Sequence, residues 1–254
     1  MTTKSALVLT MGLVLSVGAT GSLAADAIDS ASLAEALASD SRPAEDRDRD
    51  AGRKPADVIA FLGIRPGMTV IDLIAAGGYY TEVLSVAVGP TGKVYAQNSE
   101  FVLKLRDGAN DKAMTARLEG GRLPNVERID RGTDDLRLPP GSVDAALTAL
   151  NFHDIYNSRG PDAAGSFLAA VFRVLKPGGV LGLIDHAGSP DADNKELHRI
   201  DEALVDAAAK AAGFEIEAKS KLLRNPDDDR SKNVFAPDIR GRTDRFVLRL
   251  RKPG

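Results

Sequence analysis

The chain has 254 residues, 43% of them hydrophobic and 27% charged, which suits a sizeable globular domain with a packed core. Its formal net charge of -3 gives no electrostatic reason to hold nucleic acid. With no cysteine there is no disulfide, no thiolate metal site and no cysteine nucleophile.

Residues 1–25 differ from the rest. Lys4 precedes an uncharged run from Ala6 to Ala19, and the small residues Ser22, Ala24 and Ala25 follow. A basic start, an apolar centre and a small-x-small end make the pattern of a secretory signal peptide. Thr10, Gly12, Ser16, Gly18, Thr20 and Gly21 make it a poor membrane anchor. The expectation is cleavage near Ala24 or Ala25 and an exported mature protein, periplasmic or secreted, with no stable membrane insertion. Residues 26–54 are a charged N-terminal extension, expected to be helical. There Asp46-Arg47-Asp48-Arg49-Asp50 reads as a solvated helix face, or else as a lid over a site in the domain at 55–254.

Pro55 suits the first turn of a short helix carrying Val58, Ile59, Phe61 and Leu62, with Gly63 as its stop. From Met68 strand and helix patterns alternate, the mark of an α/β fold with a parallel sheet. Strands are predicted at Thr69 to Leu73, Lys93 to Gln97, Val126 to Asp130, Val143 to Leu150 and Val180 to Ile184. Helices are predicted at Tyr80 to Val88, at Phe101 to Leu118, and from Pro161 until Lys176-Pro177-Gly178-Gly179 closes the last one. Asp193 with Glu196 three residues on predicts a capping box, starting a helix with Leu197, Ile200, Leu204, Ala208 and Ala211 on one face. His198 and Arg199 fall in its first turns. Phe214 to Lys221 and Arg245 to Arg251 read as closing strands, and the polar loop from Asn225 to Asp244 is longer than a mere connection needs.

In an open parallel sheet, ligands bind beyond the carboxyl ends of the strands. Asp72 is near the end of the first strand, and Ala75 to Gly78 would let a ligand approach the backbone. The segments "VIDLIAAGGYYTE", "GPTGKVYAQN", "RGTDDLRLPPGSVDAALTALNFHD" and "FRVLKPGGVLGLIDH" resemble the ordered motifs of class I S-adenosylmethionine-dependent methyltransferases. Within that class the chain resembles a group of predicted exported bacterial methyltransferases. The resemblance covers about residues 55–220 and implies a Rossmann-like, open, mostly parallel seven-stranded sheet. Helices would cover both of its faces, and its last strand would be antiparallel. It implies S-adenosylmethionine as methyl donor, held by Asp72, Ala76, Gly77, Gly78, Tyr79, Asn98, Asp134, Asp135 and Asn151. Tyr79 and Tyr80 would close over the methionyl end, where an aromatic face favours the sulfonium charge. The chain departs from the family at Ile74 and Ala76, where glycine is usual, and at Asn98, where an acid usually accepts from both ribose hydroxyls.

His153, His186 and His198 are the chain's three histidines, all at or near the ligand-facing edge of the predicted sheet. A histidine near neutral pKa suits removal of a proton from an oxygen or nitrogen nucleophile. The candidate catalytic residues are His153 first, with Asp154 to orient it, and then His186. His198 with Arg199 is a candidate contact for an anionic acceptor. His153, Asp154, Asp185 and His186 could offer metal ligands, but no spacing singles them out and no metal is expected. The expected partner is a small-molecule acceptor. The alternative is an exported, non-catalytic nucleotide- or small-ligand-binding protein on a degenerate methyltransferase fold. A nicotinamide-dependent oxidoreductase is disfavoured, because no G-x-G-x-x-G follows the first strand.

Overall fold

Strand β1 (Thr69–Leu73) is buried from Val70 onward, and only Asp72 interrupts its apolar run. A central parallel strand with helices on both faces reads this way. It lies in a computed structural model that describes residues 1–2 and 28–254. Apart from Met1 and Thr2, the signal-peptide reading of residues 1–25 therefore lies outside the described residues. The parallel neighbours of β1 are β2 (Lys93–Gln97) and β4 (Val143–Ala149), with β3 (Val126–Ile129) beyond β2 and β5 (Leu175–His186) beyond β4. Two antiparallel strands, β6 (Glu215–Ser220) and β7 (Arg245–Arg251), complete the order β3-β2-β1-β4-β5-β7-β6. This is the seven-stranded, mostly parallel Rossmann-like sheet that the motifs imply, with its last strand antiparallel.

One apolar cluster, with Ile71, Leu73, Phe152, Phe167, Leu181 and Phe246, packs on one side of the sheet. Another holds Val58, Ile59, Leu84, Val94 and Leu147, together with Leu33 and Leu37 from the extension. Helix boundaries follow local chemistry. In α3 (Pro55–Leu62), proline occupies the first turn and Gly63 ends the helix at φ 71°. Helix α4 (Tyr79–Val88) runs from Gly78 to Gly89, both at positive φ.

The structure differs from the sequence expectations in several places. Helix α5 (Glu100–Leu118) is broken at 105–108, where Arg106, Asp107 and Gly108 all have positive φ. Helix α6 (Phe152–Arg159) is an addition to the elements read from the sequence, and it buries Phe152, His153 and Ile155. Helix α7 (Pro161–Val174) ends before the Lys-Pro-Gly-Gly stretch, which is the start of β5, with Gly178 at φ 75° and a register shift beside it. The helix expected from Asp193 begins instead at Glu202, as α8 (Glu202–Ala211) capped by Asp201. Asp193 does accept the Glu196 N–H at 3.1 Å, but His198 at φ 52° turns the chain out of the helix, and Ile200 bridges to Ala187 beside β5.

The extension forms α1 (Ser30–Leu37) and α2 (Ala44–Arg53), and it corrects the solvated-face reading. Asp46 is buried between Arg49 and Arg117, whose Nη2 lies 2.6 Å from its Oδ2. Arg117 also pairs with buried Glu82 of α4, and Arg122 joins the same carboxylate. Burial opposes the charge on Asp46, but Arg49 and Arg117 hold its carboxyl below the usual range. A buried network of this kind ties α2, α4 and α5 together because removing one member leaves a desolvated charge. Glu82→Gln should cost about 3 kcal/mol in urea unfolding; a loss below about 1 kcal/mol would mean the network is not buried as described.

Candidate active site

The turn leaving β1 has a left-handed backbone at three alternate positions: Ile74 at φ 55°, Ala76 at φ 49° and Gly78 at φ 86°. These are the positions at which the family usually has glycine, so the backbone conformation is kept without the residue that adopts it most easily. Surrounding hydrogen bonds fix it. Ile74 N–H donates to Gln97 Oε1 at 3.0 Å, and Ala76 N–H donates to Asn98 Oδ1 at 2.8 Å. Asn98 Nδ2 returns a bond to Ala76 O at 3.1 Å, and Asn151 Nδ2 donates to Ile74 O at 3.2 Å. Ile74 packs against the core cluster that includes Leu73 and Phe152, so its bulk is taken up there. Only glycine suits position 78, because a Cβ would come within 2.9 Å of Arg117 and 3.0 Å of Met114.

Several residues expected at the donor are placed here, with different attachments. Asp72 lies beneath the turn, almost fully buried, and accepts from Thr81 Oγ1 at 2.7 Å. Burial pushes its carboxyl up to about 7, against the opposing influence of Thr81, Arg117 and Arg53. Ala75, Ala76 and Gly77 are half-buried on the rim, as are Ala149, Leu150 and Asn151 at the end of neighbouring β4. Asn98 is fully buried, and its amide accepts from and donates to the Ala76 backbone. Because the side chain is fully buried, ribose hydroxyls could reach its remaining lone pair and N–H only if the turn opened. Tyr79 is also engaged: its hydroxyl donates to Asp50 at 2.6 Å, and the guanidiniums of Arg49 and Arg53 lie 4.8 and 4.5 Å from its ring centroid. Its aromatic face is therefore covered by α2. Asp134 and Asp135 are exposed beyond β3, with Asp135 paired to Arg131 and Arg137.

The acceptor-side candidates converge more tightly. The Asp185 carboxylate at the end of β5, fully buried, accepts the His153 and His186 backbone N–H groups at 2.8 and 2.7 Å. Its Oδ1 also lies 2.7 Å from His153 Nδ1. In the neutral ring, with Asp185 charged, that nitrogen carries the proton and Nε2 keeps its lone pair. Nε2 lies 3.4 Å from Asp154 Oδ1, which in turn lies 3.0 Å from His198 Nδ1. Burial works against a charged His153, yet the carboxylates of Asp185 and Asp154 outweigh it and hold its pKa above the ordinary value. The same pairing holds Asp185 below the carboxylate range in spite of its burial. His186, bonded through Nδ1 to Thr243 Oγ1 at 2.7 Å, is driven by burial down to about 3 and stays neutral.

The sequence singles out Asp185 only as a possible metal ligand, not as the partner of His153, and does not single out Thr243, Phe235 or Gln97. The acid immediately before His186 was the one available signal for Asp185. Arg199, expected at an anionic acceptor, is fully buried and holds Asp228 through Nη1 and Nη2, at 2.8 and 3.1 Å. That pair anchors the long loop against the segment carrying His198, and exposed Phe235 of the loop meets the His198 ring at 5.0 Å.

Ala76→Gly should relieve a left-handed alanine and raise stability by about 0.5–1 kcal/mol in denaturant unfolding. A loss of stability would mean that the turn is not strained there. Asp72 gives a pH test. Its folded pKa, about 7, is above the unfolded value, so the native state keeps a proton that the unfolded chain releases. Its contribution to stability therefore falls as pH rises from about 4 to 7 and is flat above. Asp72→Asn should remove that part of the decline when unfolding is compared at acid and mildly alkaline pH. An unchanged slope would place the proton elsewhere.

No family model matches the chain. A ubiquinone/menaquinone biosynthesis C-methyltransferase of Shewanella pealeana is 30% identical over 193 residues, 75% of this chain. The match spans 66% of that relative, just under two thirds of its length. Among solved structures, an S-adenosylmethionine-dependent methyltransferase from Aquifex aeolicus superposes with TM-score 0.59 at 22% identity, covering 89% of this chain and 99% of that one. A possible exported protein from Bordetella parapertussis superposes with TM-score 0.54 at 15% identity, covering 80% of this chain and 68% of that one. The strand order, the left-handed turn after β1 and these likenesses agree: the chain has the class I methyltransferase fold.

Proposed function

We propose that the protein is an S-adenosylmethionine-dependent methyltransferase that methylates a small molecule, with His153 receiving the proton of an oxygen or nitrogen nucleophile. The observation that carries this reading is the buried Asp185–His153 pair, at the ends of strands next in sheet order to β1 and its turn. Asp72 and the half-buried small residues 75–77 suit the methionyl half of the donor, whereas the Asn98 amide is buried away from its ribose half. When bound, the donor supplies an electrophilic methyl group on its sulfonium. The turn would orient that methyl toward the acceptor in line with the breaking C–S bond. As the nucleophile forms its bond to carbon, His153 Nε2 takes the proton and Asp185 stabilises the resulting imidazolium. Neutral His186 is the weaker candidate base, because its low pKa gives it little pull on a proton. A carbon acceptor, as in the name of the Shewanella relative, would lose its proton to the same imidazole.

A second reading is favoured by the buried amide of Asn98 and the covered ring of Tyr79: an exported binding protein that keeps the fold without turnover. Export itself is proposed from residues 1–25. It predicts a mature protein starting near Ala25 or Asp26 in the periplasmic or secreted fraction, by N-terminal sequencing. An uncleaved cytoplasmic product would overturn it.

The two functional readings separate by experiment. With labelled donor and a panel of small hydroxyl and amine acceptors, the wild type should turn over. His153→Ala should then lose at least about 100-fold in turnover while calorimetric donor affinity stays nearly the same. Equal losses in both would make the histidine a scaffold, and binding without turnover on any acceptor would favour the second reading.

A further inference from the structure

We propose that His153 Nε2, Asp154 Oδ1 and His198 Nδ1 form a binding site for one divalent transition-metal ion, of which zinc matches the donors best, and that occupation silences His153 as a base. The second half rests on the function proposed above; the first half does not.

All three ligand atoms lie within 4.8 Å of one another, with separations of 3.0 Å from Asp154 to His198 and 3.4 Å from Asp154 to His153. Ligands about 2.1 Å from a tetrahedral ion stand about 3.4 Å apart, so small side-chain rotations bring all three to one ion. Two imidazoles and a carboxylate form a borderline donor set suited to zinc, cobalt or nickel.

One further observation points to coordination rather than to a chance surface cluster. Asp185 accepts at His153 Nδ1, the carboxylate–histidine arrangement that fixes a metal-binding imidazole and leaves Nε2 facing Asp154. His198 has a left-handed backbone at φ 52°. It is held there by its neighbour Arg199, whose guanidinium is locked to Asp228, Ala187 O and Lys232 O. The cluster is open on its outer side, where the Asp154 and His198 side chains are 56% and 36% exposed, leaving room for water or an acceptor oxygen as fourth ligand. With the ion in place the Nε2 lone pair is coordinated and accepts no proton.

The test is equilibrium dialysis of the mature protein against Zn²⁺ at neutral pH, without donor or acceptor, with Co²⁺ visible absorption as a second readout. One saturable equivalent in the micromolar range is expected. His198→Asn, which tolerates the left-handed backbone, should weaken it at least about tenfold while leaving the far-ultraviolet circular dichroism unchanged. No saturable binding up to about 100 µM, or equal binding by His198→Asn, would overturn the site. In turnover assays zinc should inhibit and a chelator should restore the rate; undiminished turnover by zinc-loaded protein would overturn the inhibition alone.

Discussion

The β1 turn is the constraint on which the site depends. A chain leaving a buried parallel strand must reverse into a helix within a few residues, and here it does so through left-handed conformations at Ile74, Ala76 and Gly78. Two of these residues carry side chains that disfavour the geometry. The neighbouring strands hold it in place: Gln97 and Asn98 at the end of β2, and Asn151 just after β4, bond the turn's own N–H and C=O groups. Asn98 is thus a staple for the turn, a role in which a carboxylate could not have served, because it has no N–H to give the Ala76 carbonyl.

From this turn the rest of the site is a matter of adjacency. The sheet order places β4 beside β1 and β5 beside β4, so His153 in the first turn of α6 and Asp185 at the end of β5 meet near the turn. The buried carboxylate of Asp185 organises that side, with two backbone N–H groups and the His153 ring directed at it. On the opposite side α2 covers Tyr79, and the Asp46–Arg117–Glu82 network joins it to the helices flanking the turn. The extension is therefore packed into the domain and covers part of the region where a donor's methionyl end would lie.

Much of the sheet was legible because buried parallel strands are written as short apolar runs between turn residues. β1, β2 and β7 fall at the expected residues. The misreadings have physical causes. Asp193 and Glu196 make a local capping contact that does not propagate, because burying Arg199 against Asp228 outweighs helix continuation. Asp46 reads as one of several exposed acids in an alternating run, and only the fold brings Arg117 to it from 71 positions away. The convergence of three histidines at one edge was visible from topology. Which carboxylate would orient which ring was not, since His153 and Asp185 are separated by 32 positions and joined only by strand adjacency.

The proposed function requires the β1 turn to receive a methyl donor despite its side chains and the buried Asn98 amide. Calorimetric titration of the mature protein with S-adenosylhomocysteine tests this most directly. Saturable binding of one equivalent is expected. An absence of heat up to about 1 mM ligand would contradict it, leaving the fold without the chemistry assigned to it.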